Sequence, residues 1–144
     1  SIDDVRASIT EMGALLGQTD RAARVLADFD AALAALPKGA ARRGTTYGAN
    51  GYTTGPDSLS ADVMRHAGLV LLTQAGGQQA LEQLVMSAPD LIVTGSRYPT
   101  PSRAESVLDH PAFAAIPAAR ASVPDRDWIC GLPAIAGVAD RLSR

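Results

Sequence analysis

The most constraining feature of this chain is a short, uninterrupted apolar segment, Leu91-Ile92-Val93-Thr94, which follows Pro89-Asp90. Its β-branched residues favour a strand. Because apolar and polar residues do not alternate in it, we expect burial on both faces of a sheet, as in parallel sheets. The segment therefore predicts a parallel sheet that is covered by helices on its two faces.

The first 36 residues are predicted to be almost entirely helical. Ser1 and Asp4 fit a capping box, and apolar residues recur behind them at helical spacing. Gly17 is placed to end this helix and to separate it from a second one. The second helix is expected to stop before residues 37–39, which contain proline and glycine.

Beyond residue 39 the sequence alternates between predicted strands and helices. Strands are expected at 45–47, 91–94 and 121–123, whereas 69–72 fits either a strand or a buried loop. The predicted helices cover 58–67, 78–87, 103–108, 111–116 and 133–142. This alternation predicts an α/β domain with right-handed crossovers. We divide the chain into a helical lead-in, 1–39, and an α/β part, 40–144.

Composition excludes several classes of protein. The chain has 144 residues, of which 47% are hydrophobic, so it can bury a real core and is not a disordered segment. Its apolar runs are too short or too broken to span a bilayer. With 13 basic against 15 acidic residues and no basic block, it lacks the charge pattern of nucleic-acid-binding proteins. The single cysteine, Cys130, excludes a disulfide scaffold or thiolate metal cluster and is expected to pack as a small buried hydrophobe.

Motifs of catalysis are largely missing. The sequence contains no GxSxG, GxxxxGK[ST], GxGxxG or HExxH pattern. Asp62 and His66 lie four residues apart on one predicted helix, where a surface pair is the simpler interpretation and a general-base dyad the alternative. With the glycine-rich loop 48–57, this pair supports a second hypothesis, a small α/β enzyme or a regulatory or sensor domain.

The polar aromatic residues indicate a binding surface. Tyr47, Tyr52, Tyr98 and Trp128 lie at or just beyond the carboxyl ends of predicted strands, the edge where parallel sheets bind ligands. They offer rigid stacking area and a polar tip for a flat or bulky ligand, and Arg97 could pair with an anionic group. The alternative is that the loop tyrosines simply cover the edge of the sheet.

Four segments, in this order, resemble the periplasmic binding proteins that serve iron-siderophore, haem and cobalamin ABC importers. The first, 17–22 (GQTDRA), is similar to the entry to the long inter-lobe helix of that family. The second, 50–69, resembles a ligand-side loop and helix, and the third, 80–95, matches a hydrophobic-Glu-x-hydrophobic…Pro-Asp pattern. The fourth, 127–133, resembles the last ligand loop and the start of the final helix.

The resemblance implies a three-layer α/β/α sandwich with a mainly parallel, Rossmann-like sheet, preceded by a long helix. In the family two such lobes hold the ligand between them. Residues 1–39 would then be the inter-lobe helical lead-in, and residues 40–144 the C-terminal lobe. The N-terminal lobe and signal peptide would lie outside this chain, in a protein that is periplasmic or lipid-anchored outside the cytoplasm.

The resemblance also implies specific roles for residues. Glu82 matches a surface glutamate that docks on the ABC permease. The residues that fall on or beside ligand loops are Tyr47, Asn50, Tyr52, Arg97, Tyr98 and Trp128. The expected ligand is a metal chelate such as a ferric siderophore, haem or cobalamin, with no catalytic residue, resident cofactor or protein-bound metal. A sensor module that has reused the lobe without a transporter is a third hypothesis.

Overall fold

A computed structural model describes residues 1–100 and 102–144, so that Pro101, in the loop after the predicted apolar strand, lies outside the described residues. The helices are α1 (Ile2–Leu15), α2 (Thr19–Ala34), α3 (Leu59–His66), α4 (Leu81–Ser87), α5 (Pro111–Ala114) and α6 (Ile135–Ser143). The strands are β1 (Arg42–Thr46), β2 (Tyr52–Thr53), β3 (Leu69–Leu71), β4 (Gly77–Gln78), β5 (Leu91–Thr94) and β6 (Ala119–Ser122). Within the described residues, short 3₁₀ helices cover Ala49–Gly51, Arg103–Asp109 and Asp125–Asp127.

Four strands form a fully parallel sheet in the order β3-β1-β5-β6. The apolar segment at 91–94 is one of its two central strands, β5, which pairs with β1 on one side and β6 on the other. β2 and β4 form a separate antiparallel pair. The predicted α/β fold with a mainly parallel sheet is therefore confirmed.

The side chains of β5 point alternately into two cores. Leu91 and Val93 pack into the core beneath α1, α2, α3 and α6, whereas Ile92 packs with Leu84 and Phe113 beneath α4 and α5. All three strand residues are buried, Ile92 completely. The predicted burial of this strand on both faces is confirmed, and the helices on the two sides complete the three layers.

The lead-in consists of two helices that pack on the α/β part. Ser1 and Asp4 form the expected capping box, and Gly17 takes a left-handed φ of 63° directly after α1. The amide of Ile2 donates a hydrogen bond of 2.8 Å to the Asp62 carboxylate on α3. Because residues of α1 and α2 share a core with β5 and α6, residues 1–39 and 40–144 bury one continuous apolar surface.

Several predicted boundaries were wrong or incomplete: the strand expected at 121–123 is Ala119–Ser122, the helix expected at 111–116 is Pro111–Ala114, and the helix expected at 133–142 is Ile135–Ser143. The strand expected at 45–47 begins already at Arg42, because the backbone of residues 42–44 pairs with β3. The side chains of Arg42 and Arg43 donate to the backbone carbonyl oxygens of Leu142 and Ser87. The helix expected from residue 78 begins at Leu81, since residues 77–78 pair with β2 instead. Residues 69–71, left open between strand and loop, form β3. Among the described residues, no helix is both long and apolar enough to cross a membrane.

Candidate functional site

A cleft of about 570 Å³ opens at the carboxyl ends of β1 and β5. Between these two strands the chain order of the sheet reverses, since β1 connects through α3 to β3 on one side and β3 returns through α4 to β5 on the other. Such a switch point is where open parallel sheets bind ligands. The lining residues are Thr46, Tyr47, Gly48, Ala49, Tyr52, Thr54, Ser58, Leu59, Ser60, Val93, Gly95, Ser96, Tyr98, Glu105, Leu108, Asp125, Trp128 and Ile129.

Aromatic and aliphatic side chains form much of the cleft wall. Trp128 follows the 3₁₀ helix after β6 and is held with only 8% of its surface exposed. Tyr52, Tyr98 and Ile129 stand on the rim with 58%, 73% and 71% of their surfaces exposed. Exposed apolar groups that converge on one concavity are typical of a ligand site, because each buries its surface when the ligand binds.

Tyr47 lines the base of the cleft but belongs largely to the core. Its ring stacks on Phe113 with 5.8 Å between ring centroids, and its hydroxyl donates a hydrogen bond of 3.2 Å to the carbonyl oxygen of Gln79. Burial, and to a lesser extent the negative charge of Glu82, raises the pKa of this phenol above its usual value of 10.0. Tyr47 therefore stays protonated and supports the wall.

The loop that carries Tyr52 is fixed to the sheet by two contacts. The hydroxyl of Thr46, the last residue of β1, accepts the amide N–H of Thr54 at 2.8 Å and lies 2.9 Å from its hydroxyl oxygen. Gly51 has a left-handed φ of 70°, and a Cβ there would lie 2.5 Å from the carbonyl oxygen of Gln79. Only glycine fits this backbone approach without strain, and it places Tyr52 at the cleft.

Arg97 is bound to a neighbouring carboxylate and does not line the cleft. Its terminal nitrogens donate hydrogen bonds of 2.8 and 2.7 Å to the two carboxylate oxygens of Asp109. This bidentate pair raises the pKa of Arg97 and lowers the pKa of Asp109 below its usual 3.8. Arg97, the cation that was expected to bind an anionic group of the ligand, is therefore paired with Asp109 in the structure.

Two acidic residues of the cleft were missed by the sequence analysis. Glu105 is 5% exposed and accepts the amide N–H of Tyr98 at 3.4 Å, whereas Asp125 is an exposed residue of the cleft lining. Asp125 could have been found, since it follows β6 just as the aromatic residues follow their strands. Glu105 lies in a short helix, and nothing in the sequence indicates that this helix turns it toward the sheet edge. Among the described residues, no three His, Cys, Asp or Glu side chains are grouped as metal ligands.

The remaining candidates lie outside the cleft. Asn50 is exposed on the 3₁₀ helix beside it, with a left-handed φ of 52°. Glu82 is exposed in the first turn of α4 and lines a second depression together with Val85, Met86 and His110. The structure thus brings Tyr47, Tyr52, Tyr98 and Trp128 together at one cleft and sets the other predicted residues apart.

Asp62 and His66 contact each other and the start of α1, away from the cleft. One carboxylate oxygen of Asp62 accepts the amide N–H of Ile2, and the other lies 3.7 Å from Nδ1 of His66. That ring nitrogen is also 3.0 Å from the backbone carbonyl oxygen of Asp62. Neither residue lines the cleft. Cys130, expected to be buried, is exposed, because it follows the cleft loop instead of entering the core.

The fold is an α/β domain with a cleft at the switch point of its parallel sheet. The profile of the periplasmic binding protein family matches residues 2–122, which is most of the chain. The chain therefore belongs to the periplasmic binding protein family. No curated protein matches it in sequence.

Solved structures share the fold at low sequence identity. An ABC-type Fe³⁺-hydroxamate transport system from Saccharomonospora viridis is 21% identical with a TM-score of 0.77, and the match covers 99% of this chain and 55% of that chain. A periplasmic heme-binding protein from Pseudomonas aeruginosa is 19% identical, with a TM-score of 0.73 and coverage of 99% and 59%. A possible iron-binding, periplasmic solute-binding protein from Staphylococcus epidermidis is 16% identical, with a TM-score of 0.78 and coverage of 99% and 61%. The chain spans little more than half the length of these structures.

Proposed function

We propose that this chain is the C-terminal lobe, with its helical lead-in, of an ABC importer's substrate-binding protein for a ferric siderophore or haem. A second lobe would close the ligand over the cleft between β1 and β5. The observation that carries this proposal is the cleft itself, with Tyr52, Tyr98 and Trp128 converging at the switch point of the sheet. Binding, with no covalent step, is the role that this wall of aromatic, aliphatic and hydroxyl groups supports.

The size and polarity of the cleft support a bulky chelate as ligand. Its volume of about 570 Å³ lies within the usual range of small-molecule sites even before a second lobe closes it. The exposed rings of Tyr52 and Tyr98 give flat contact area, and their hydroxyls at the ring tips can donate hydrogen bonds to ligand oxygens. The relatives named above include proteins described as binding Fe³⁺-hydroxamate or heme. Cobalamin, the third ligand that the sequence resemblance implies, is tested beside these two in the experiment below.

Delivery to a permease would use the exposed face of α4. Glu82 lies there in the first turn, away from the cleft, with no ion-pair partner in the part of the chain that the structure describes. An exposed charge adds little to stability, but it can orient two proteins and accelerate their encounter. Such a protein works outside the cytoplasm, either free in the periplasm or held by a lipid.

A retention experiment tests the proposed function. The intact protein is incubated separately with a ferric tris-hydroxamate, haem and cobalamin, each free chelate is removed by gel filtration, and the absorption spectrum of the protein fraction is recorded. We expect one chelate to stay bound at about one per protein, and a Tyr52→Ala, Tyr98→Ala variant, which changes only exposed side chains of the rim, to lose it while remaining folded. Elution of the protein without any of the three chelates would contradict the proposal.

A further inference from the structure

Glu105 places a largely buried carboxylate in the cleft wall. A wall that only matched the shape of a ligand would not need this charge. Only 5% of the residue is exposed, yet its hydrogen bond from the Tyr98 amide is long, at 3.4 Å. In the described parts of the chain no other hydrogen bond to this carboxylate is found. One carboxylate oxygen holds this amide contact, and the other has no partner in the described residues but is not fully enclosed, so that it is open toward the cleft that Glu105 lines. A largely buried carboxylate normally accepts several good hydrogen bonds.

The neighbouring arginine does not supply those donors. Arg97 gives its two terminal nitrogens to Asp109 in a bidentate pair, so that only its Nε faces Glu105, at 3.9 Å. This distance is beyond hydrogen-bond range. One guanidinium thus serves two carboxylates, and the group of Glu105, Arg97 and Asp109 keeps a net negative charge beside the cleft.

No basic residue of the described cleft wall offsets this charge. Glu105 and Asp125 are the charged members among its lining residues, and the other polar ones are hydroxyls such as Thr46, Ser58 and Ser60. A concave site with low-dielectric walls concentrates the field of such charges on the ligand. The wall therefore repels an anionic group and attracts a positive group or a hydrogen-bond donor.

We propose that Glu105 sets the charge preference of this lobe and selects chelates that are neutral or cationic over anionic ones. The inference rests on the proposed function and narrows its ligand class. Three hydroxamates, each a monoanion, neutralise Fe³⁺, whereas three catecholate dianions leave a trianion. A ferric tris-hydroxamate with a pendant ammonium suits the wall best, because the ammonium can donate to the Glu105 carboxylate in place of the missing partners.

The test compares two ferric tris-hydroxamates that coordinate iron identically and differ only at one amine. One chelate carries the free ammonium and the other carries the same nitrogen succinylated, which replaces the positive charge with a carboxylate. Each is titrated into the intact protein, into a Glu105→Gln variant and into a Glu11→Gln control, which removes an exposed carboxylate on α1. Thermal melts establish that each variant is folded.

We expect the ammonium form to bind the unaltered protein at least about tenfold more tightly, the effect of one charge-assisted hydrogen bond. Glu105→Gln should remove most of this preference, and Glu11→Gln should keep it. Equal binding of the two chelates by the unaltered protein overturns the inference without any variant, as does an undiminished preference in folded Glu105→Gln. In both cases the proposed function stands. It also stands if the protein binds haem, which its two propionates make anionic, and neither hydroxamate, but that result overturns the inference. Binding of neither these chelates nor haem would contradict the proposed function and the inference with it.

Discussion

At the scale of single residues, the backbone near the cleft depends on glycine at position 51. Gly51 turns the chain with a φ of 70° and passes close to Tyr47 and Gln79, whose carbonyl oxygen accepts the Tyr47 hydroxyl. A methyl group there would meet that carbonyl oxygen and, at 2.9 Å, the Tyr47 hydroxyl. Glycine at this position therefore lets the loop that carries Tyr52 pack directly against Tyr47 at the base of the cleft.

Gly51→Ala should lower the free energy of unfolding by about 1–3 kcal/mol through strain at a left-handed position and the displaced contacts. Ligand affinity should fall as well, because the loop that carries Tyr52 must shift. Gly137→Ala is the matched control, since it lies within α6 with open space around it and should stabilise the protein by about 0.5–1 kcal/mol. Chemical denaturation of both variants measures the difference, and an unchanged stability for Gly51→Ala would contradict this account of the loop.

At the scale of elements, the start of α1 is held by α3 through Asp62. The carboxylate accepts the Ile2 amide at 2.8 Å, one of the amides that a helix cannot satisfy by itself. Asp62→Ala should therefore destabilise the protein by about 0.5–2 kcal/mol and leave ligand affinity unchanged. His66→Ala should change stability by less than about 0.5 kcal/mol, because its side chain is 38% exposed and its one hydrogen bond is to a backbone carbonyl oxygen of its own helix.

This pair of variants also separates a binding protein from the enzyme hypothesis. A catalytic dyad of Asp62 and His66 requires both substitutions to abolish an activity, whereas a helix cap requires only the first to affect stability. Melting curves and binding titrations of the two variants distinguish the cases. An equal loss of function in the Asp62→Ala and His66→Ala variants, with their stability intact, would favour the dyad.

Helix α4 gives the second prediction at this scale. Glu82 is exposed in its first turn and lies outside the cleft, so Glu82→Ala should leave ligand affinity unchanged and weaken transport by the importer. Gln83→Ala, at the next exposed position of the same helix, is the control. Uptake of labelled chelate and affinity for it are measured side by side, and an equal loss of both for Glu82→Ala would contradict a docking role.

At the scale of the whole molecule, the sequence predicted the architecture, through its hydrophobic pattern, better than it predicted the polar contacts. The apolar run at 91–94 was enough to predict a central parallel strand, since continuous apolar character requires covering layers on two faces. The position of the aromatic residues after strands likewise located the cleft. The commitment of Arg97 to Asp109, twelve residues away, and the inward turn of Glu105 depend on the path of a loop, which local residue preferences do not determine.

The central claim is that the cleft beside Trp128 binds a metal chelate. Trp128 is the only tryptophan of the chain and lines the cleft, so its fluorescence reports on occupancy once the signal of a Trp128→Phe variant has been subtracted. Titration of the intact protein with a ferric tris-hydroxamate, haem and cobalamin should quench this emission saturably with one of them. Unchanged emission at saturating concentrations of all three would contradict the claim.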